Sequence, residues 1–352
     1  MSTQTIDADR LVAVASEILV AAGVSAPSSR TVAEALVDAD LRGIPSHGLM
    51  LIPMYVERLR AGSVSTADEA QVIVDTGAVA GLDAGHALGQ LTSDQAMRLA
   101  IEKAHTHGVG IVSVRHAFHF GGAFRYVEQA AAAGCLGIAL SNTRPLMPAP
   151  GGATPVVGNN PVAIGVPRAE LDPIILDMAL SEAALGKIRL AEAEQRQIPA
   201  TWATDADGTP TTDPAAAIAG MLLPMGGPKG YGLAVMVDVL TGVLSGGSFG
   251  NRVQGMYADV TVPNDCAHFF LALDVSAFGG SRDFDTAVGA LAAQIGDSAL
   301  APGTERVLLP GQREAEVAAA GREHGVNVNA SVLEGLRATA ALVGVDLAEA
   351  PF

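Results

Sequence analysis

Residues 112–126 read Val-Ser-Val-Arg-His-Ala-Phe-His-Phe-Gly-Gly-Ala-Phe-Arg-Tyr, and the pattern changes in the middle. A short β-rich run, GVGIVSVRH, ends about Arg115. His116 and His119 follow, Gly121 and Gly122 break the chain, and helix-forming residues begin. Strand, glycine turn and helix form the unit from which α/β folds are built. Segments leaving the C-terminal end of a strand are where such folds place reactive groups. A neutral imidazole there suits proton exchange near pH 7.

The same texture extends outward. β-rich runs recur at AQVIVDTG (70–77), LGIALSN (136–142), PVAIGVP (161–167), PIILDMA (173–179) and HFFLALDV (268–275). Helical spacing lies between or after them at 90–107, 121–133, 181–194, 229–246 and 283–297. The N-terminal stretch is helical instead. Leu11, Ala15, Ile18, Leu19 and Ala22 share a face that stops at Gly23, and Val32, Leu36 and Ala39 share another that stops at Gly43. A third helix in MLIPMYVERLRAG is expected to bend at Pro53, and the tail from about 312 is helical again. The expected organisation is a helical domain from 1–70 with 312–352 and an α/β domain from 71–311.

The chain has 352 residues, 49% of them hydrophobic but only 4% aromatic, which suits small-residue helices packed on a sheet. A formal charge of −16 opposes approach to nucleic acid or anionic membrane, so neither is expected as a partner. Positive charge must act locally, and the only lysines are Lys103, Lys187 and Lys229. Cys135 and Cys266 fit reduced, buried thiols. With no leader-like N-terminus and with Asp238 inside the most apolar stretch (231–247), a soluble cytoplasmic protein is expected.

Several segments offer chemistry. LRGIPSHG (41–48) fails the G-x-S-x-G elbow. It reads as a capping turn, with Ser46 as cap, Gly48 freeing the backbone and His47 solvated, or as a turn that presents His47 to a ligand, with Arg42 nearby. His105, His107, His116 and His119 would be the ligands of a metal hydrolase, but no acid or cysteine lies among them and no metal is expected. Asn142, Thr143 and Arg144 open a long loop directly after a strand and suit a carboxylate or carboxamide. Asp177, at a strand end, accepts from ribose hydroxyls, orients a base, or bonds only backbone amides. Lys229 sits among Gly226, Gly227 and Gly230 ahead of an apolar helix, either as a phosphate seat or as a solvated lysine. G-x-G-x-x-G and the Walker pattern are both absent, so any nucleotide binds outside the doubly wound scheme.

Taken in order, DLRGIPSHG (40–48), HFGGAF (119–124), GNNP (158–161), LDMALSEAALGKI (176–188), LLPMGGPKGYGLAVMVDVLTGVLSGG (222–247) and LLPG (308–311) resemble the second type of malate/L-lactate dehydrogenases. That family also holds ureidoglycolate and sulfolactate dehydrogenases and the 2,3-diketo-L-gulonate and piperideine-2-carboxylate reductases. The resemblance, which runs from about 8 to 345, implies a non-Rossmann, mixed-sheet α/β domain that binds NAD or NADP, joined to the helical domain of the two chain ends. It implies hydride transfer between a small 2-oxo acid and a 2-hydroxy acid, or reduction of a cyclic imino acid. His119 would be the acid/base, with Ser46 and His47 beside it. Thr143 would touch cofactor and substrate. Asp177, Met178 and Ala179 would line the cofactor groove, with Lys229 nearby and Gly311, Gln312, Arg313 and Glu314 closing over it. A small anionic substrate and a homodimer with the site near its interface are implied as well. Family members often read S-H-G-x-x-R, whereas Leu51 stands at that arginine position here. Arg144 is expected to replace the missing cation and anchor the substrate carboxylate or a second acidic group.

Overall fold

The computed structural model describes residues 3–347. After a short strand β1 (Thr3–Ile6), helix α1 (Ala8–Ala21) starts where the Asp7 carboxylate accepts the Arg10 amide. Helix α2 (Ala26–Leu41) starts on a Ser25 cap. Pro53 does not bend the third helix. It lies in the first turn of α3 (Ile52–Ala61), where its missing N–H has no partner to lose, and two 3₁₀ turns, Pro45–His47 and Leu49–Leu51, precede it.

The sheet region begins with the hairpin β2 (Gln71–Thr76) and β3 (Val79–Asp83). Helix α4 (Gly89–His107) leads into β4 (Val109–Ala117), and α5 (Phe124–Ala132) into β5 (Cys135–Ser141). Two short strands, β6 (Met147–Pro148) and β7 (Pro155–Val157), pair inside the long loop before β8 (Val162–Val166) and β9 (Ile174–Met178). Then come α6 (Leu185–Ala193), β10 (Ala203–Thr204), α7 (Pro214–Ala219), β11 (Met221–Leu222) and α8 (Pro228–Asp238), which continues through a π turn at Val239–Val243. Strand β12 (Cys266–Asp274) and α9 (Ser281–Gly296) follow, and the chain closes with α10 (Gln312–His324), β13 (Val326–Asn329) and α11 (Ala330–Val343).

Seven strands form one sheet in the order β2-β3-β4-β12-β5-β8-β9, and only the β3–β4 pair is parallel. This is a mixed sheet, not a doubly wound one. β12 comes last in sequence but lies between β4 and β5, buried on both faces, which is why it reads as an unbroken apolar run. Helices α4 and α5 pack against the sheet, as do α8 and its π turn. The two chain ends meet: β1 pairs antiparallel with β13, and α11 packs on α1 and α3. Both cysteines are free and buried. Among the described residues, no helix is long and apolar enough to cross a membrane.

Candidate active site

His119 stands on a seam between two cores. Phe118 on one side is buried with the N-terminal helices and meets Tyr55 edge-on at 5.2 Å between ring centroids. Phe120 on the other side is buried under the sheet and stacks on His268 at 4.5 Å. With both neighbours anchored, the imidazole between them lines an open cavity of about 440 Å³. Its Nδ1 lies 2.8 Å from the Tyr55 hydroxyl, to which Gln90 Nε2 donates at 2.8 Å. The Tyr55 oxygen has lone pairs for Gln90 and for an Nδ1–H as well, and the tautomer with its proton on Nδ1 leaves Nε2 free as a base. Burial pushes His119 down to about 3, with His47 and His268 adding to the effect, so the ring is neutral.

The SHG turn supplies a second wall. The His47 ring stacks on His119 at 5.5 Å, and Ser46 Oγ lies 3.0 Å from His47 Nδ1. Ser46 caps no helix, and His47 is not a solvated turn residue. Asp40 holds the turn, its Oδ2 accepting the Leu49 amide at 2.8 Å, and burial raises its carboxyl to about 7. Gly48 is needed for this approach and not for backbone freedom: its φ is −98°, and a Cβ would lie 2.2 Å from Asp40 Oδ1. Leu51 is fully buried in the helical core, away from the cavity.

Thr143, Arg144, Met178 and Ala179 line the His119 cavity. Thr143 is fixed by Asn160, which accepts its amide at 2.9 Å, and by Asn159, which accepts its hydroxyl at 2.9 Å. Asp177 opens on this cavity and on an adjoining cleft of about 160 Å³. Its carboxylate accepts the Phe124 amide at 2.8 Å, capping α5 from 53 residues away, and desolvation raises it to about 6. Arg42, Gly311 and Glu314 line the adjoining cleft and not the cavity of His119. Arg42 Nη2 donates to both Glu128 oxygens at 2.9 and 2.7 Å and the guanidinium lies over the Phe124 ring, so it ties α2 to α5 and is not free for a substrate. Gln312 accepts the Leu309 amide and donates to Glu316, and neither it nor Arg313 lines the cavity or the cleft. Lys229 is exposed in the first turn of α8, also outside both.

The four histidines of the metal reading point to different places. His105 Nε2 lies 3.8 Å from Cys135 Sγ, His116 Nδ1 lies 3.0 Å from Asp83, and His119 serves Tyr55. Among the described residues, no three His, Cys, Asp or Glu side chains come together as metal ligands. Tyr55, Gln90, Arg189 and Tyr257 were not singled out by the sequence. Tyr55 has the signal of a core helix residue and nothing more, and Arg189 follows the GKI motif as an ordinary polar helix position.

A family model described as malate/L-lactate dehydrogenase matches residues 6–337. A malate/(S)-sulfolactate dehydrogenase of Methanothermus fervidus is 35% identical over 331 residues, covering 94% of this chain and 96% of the relative. The NAD(+) ureidoglycolate dehydrogenase of Escherichia coli is 37% identical over 291 residues, 83% of each chain. The sulfolactate dehydrogenase structure from Methanocaldococcus jannaschii superposes with a TM-score of 0.92 at 33% identity, covering 98% of this chain and 99% of the other. A match that runs through every segment carrying the cavity, on the same mixed sheet, shows that the chain belongs to the malate/L-lactate dehydrogenase family.

Proposed function

We infer that this chain is an NAD(P)-dependent oxidoreductase that interconverts a small 2-oxo acid and its 2-hydroxy acid. The observation that carries the reading is His119: a neutral imidazole, held at Nδ1 by the Tyr55 hydroxyl, opening on a cavity large enough for a ring and a small acid. The residues fit a dinucleotide. Ala184 and Leu185 bring the N-terminus of α6 to the cavity with no side-chain cap, so its free amides suit a phosphate. Asp177, open to cavity and cleft, suits ribose hydroxyls.

When bound, the nicotinamide supplies or accepts the hydride. The chain's own residues manage the proton. As the substrate carbonyl becomes an alcohol its oxygen gains charge, and His119, carried through this step as the imidazolium with protons on both nitrogens, gives its Nε2 proton to that oxygen and returns to the neutral ring. In the reverse direction the same nitrogen takes the hydroxyl proton. Tyr55 holds Nδ1 throughout, while His47, hydrogen-bonded to Ser46, stacks on the ring. We assign the seam at His119 to the junction of two domains, 1–70 with 312–352 and 71–311, a division supported by the β1–β13 pairing of the chain ends.

The test is absorbance at the reduced-nicotinamide band with NADH or NADPH and a panel of 2-oxo acids and cyclic imino acids. Oxidation with 2-oxo acids is the expected result. Turnover of imino acids alone would replace C=O by C=N reduction, and no turnover of either class would overturn the reading.

The assembly proposed is a homodimer. Along α8 and its continuation, Ala234, Val237 and Thr241 are buried, yet Leu233, Met236, Leu240 and Leu244 are exposed on another side at helical spacing. A helix apolar on both sides is covered on both sides. Sedimentation at micromolar concentration is expected to give a two-chain particle, and Leu244→Asp a single chain. A monomeric wild type would refute the assignment.

A further inference from the structure

Two arginines enter the His119 cavity without an acidic partner. Arg144 leaves the end of β5, Arg189 projects from α6, and both line the cavity. Arg42, Arg115 and Arg125 each hold a carboxylate. Arg144 and Arg189 make no ion pair or side-chain hydrogen bond with any described residue, and they lie close enough for Arg189 to oppose the charge of Arg144. In a chain with 37 acids and 21 bases, two guanidiniums on one cavity wall, neither paired with an acid, suit an anion that comes from outside.

The seat is built. A Cβ on Gly255 would lie 2.9 Å from Arg144 Cδ, so the glycine leaves room for the arginine stem. The Gly255 carbonyl is itself fixed by Arg58 at 3.1 Å. Tyr257, two residues on, lines the same cavity within electrostatic reach of both Arg189 and Tyr55, the partner of His119. The arginines therefore share one cavity with His119.

We propose that Arg144 and Arg189 together bind a second acidic group, carboxylate or sulfonate, at the far end of the substrate, so that dianionic 2-oxo acids are preferred over monoanionic ones. Two guanidinium groups present enough N–H donors to take all the oxygens of such a group. The proposal rests on the hydride-transfer reading for the reaction, but the binding preference stands apart from turnover.

The experiment compares wild type, Arg144→Gln and Arg189→Gln, checked for unchanged melting, on oxaloacetate, sulfopyruvate and pyruvate. Calorimetric binding of malate and lactate and fluorescence titration of NADH and NADPH accompany the kinetics. Each substitution is expected to raise KM for the preferred dianion about tenfold, the effect of losing a charge-assisted hydrogen bond. Values of kcat, pyruvate kinetics and dinucleotide affinity stay unchanged. Gly255→Ala, which crowds the stem, is expected to reproduce Arg144→Gln. The stronger response, to oxaloacetate or to sulfopyruvate, identifies the acid. Equal loss on pyruvate would assign the arginines to the carboxylate common to all substrates and overturn the proposal. Weakened dinucleotide binding with discrimination intact would assign them to a cofactor phosphate and overturn it too. Wild type that binds malate over lactate, loses that preference in both variants and oxidises neither would support the seat while refuting the hydride-transfer reading.

Discussion

His119→Asn is expected to lower kcat by about 10²–10⁴-fold, the usual contribution of a positioned general acid or base. Dinucleotide affinity, read by fluorescence, should barely move. Asparagine keeps a polar group at the seam without a nitrogen that exchanges a proton, so the loss falls on chemistry rather than folding. The pH dependence follows from the lowered pKa. His119 titrates near 3 in the folded chain, against about 6.5 for an unperturbed histidine. In the direction of hydroxy-acid oxidation, kcat/KM reports the free protein, so the acidic limb due to this base lies well below pH 6.5. Stability has the same sign. The unfolded chain binds the proton first, so this histidine's contribution to stability is complete above pH 6.5 and fades as pH falls toward 3. His119→Asn should therefore lose less stability than wild type between those values. A variant with full turnover would remove His119 from the mechanism.

What the sequence allowed to be read differs by kind of contact. Strands with a clear run, such as IVSVRH and HFFLAL, were legible because pattern is local. β3 (Val79–Asp83) was not, since VAGLD carries alanine and glycine where pattern needs large side chains. The β1–β13 clasp escaped for another reason: TQTI and VNVN are four residues each and meet across more than 300 residues of chain. At the site, the place after a strand marked His116 and His119 alike, and only the family resemblance chose between them. The partners of His119 were not legible, because Tyr55 and Gln90 reach it only through packing of α3 and α4 beside the 118–120 segment. Gly48 shows how a correct residue can carry a wrong reason, as the SHG turn needs its glycine for the Asp40 carboxylate and not for left-handed backbone. Arg42 and Lys229 mark the limit of motif spacing, which says which residues are near a site but not which of them face into it.

Arg58→Met is expected to destabilise the protein by about 3–5 kcal/mol, more than any surface charge would. The side chain is fully buried, and its guanidinium donates to four carbonyls, of Gly255, Met256, Asp259 and Val262, and to the Ser63 hydroxyl. Methionine fills much of the same volume but leaves those carbonyls without donors in a dry place, each at about 1–3 kcal/mol before relaxation. The strip from 255 to 262 has no other regular structure to hold it, and it carries Gly255 and Tyr257 to the cavity. Loosening it should therefore also raise KM for the 2-oxo acid while the His119–Tyr55 pair, held by α3 and α4, keeps the pH profile of kcat unchanged. Arg30→Met is the control: its pair with Glu34 is exposed on α2, and the expected change is within about 0.5 kcal/mol. If Arg58→Met melted like Arg30→Met, the strip would be held by its apolar contacts alone, and the guanidinium would have no part in positioning the cavity wall.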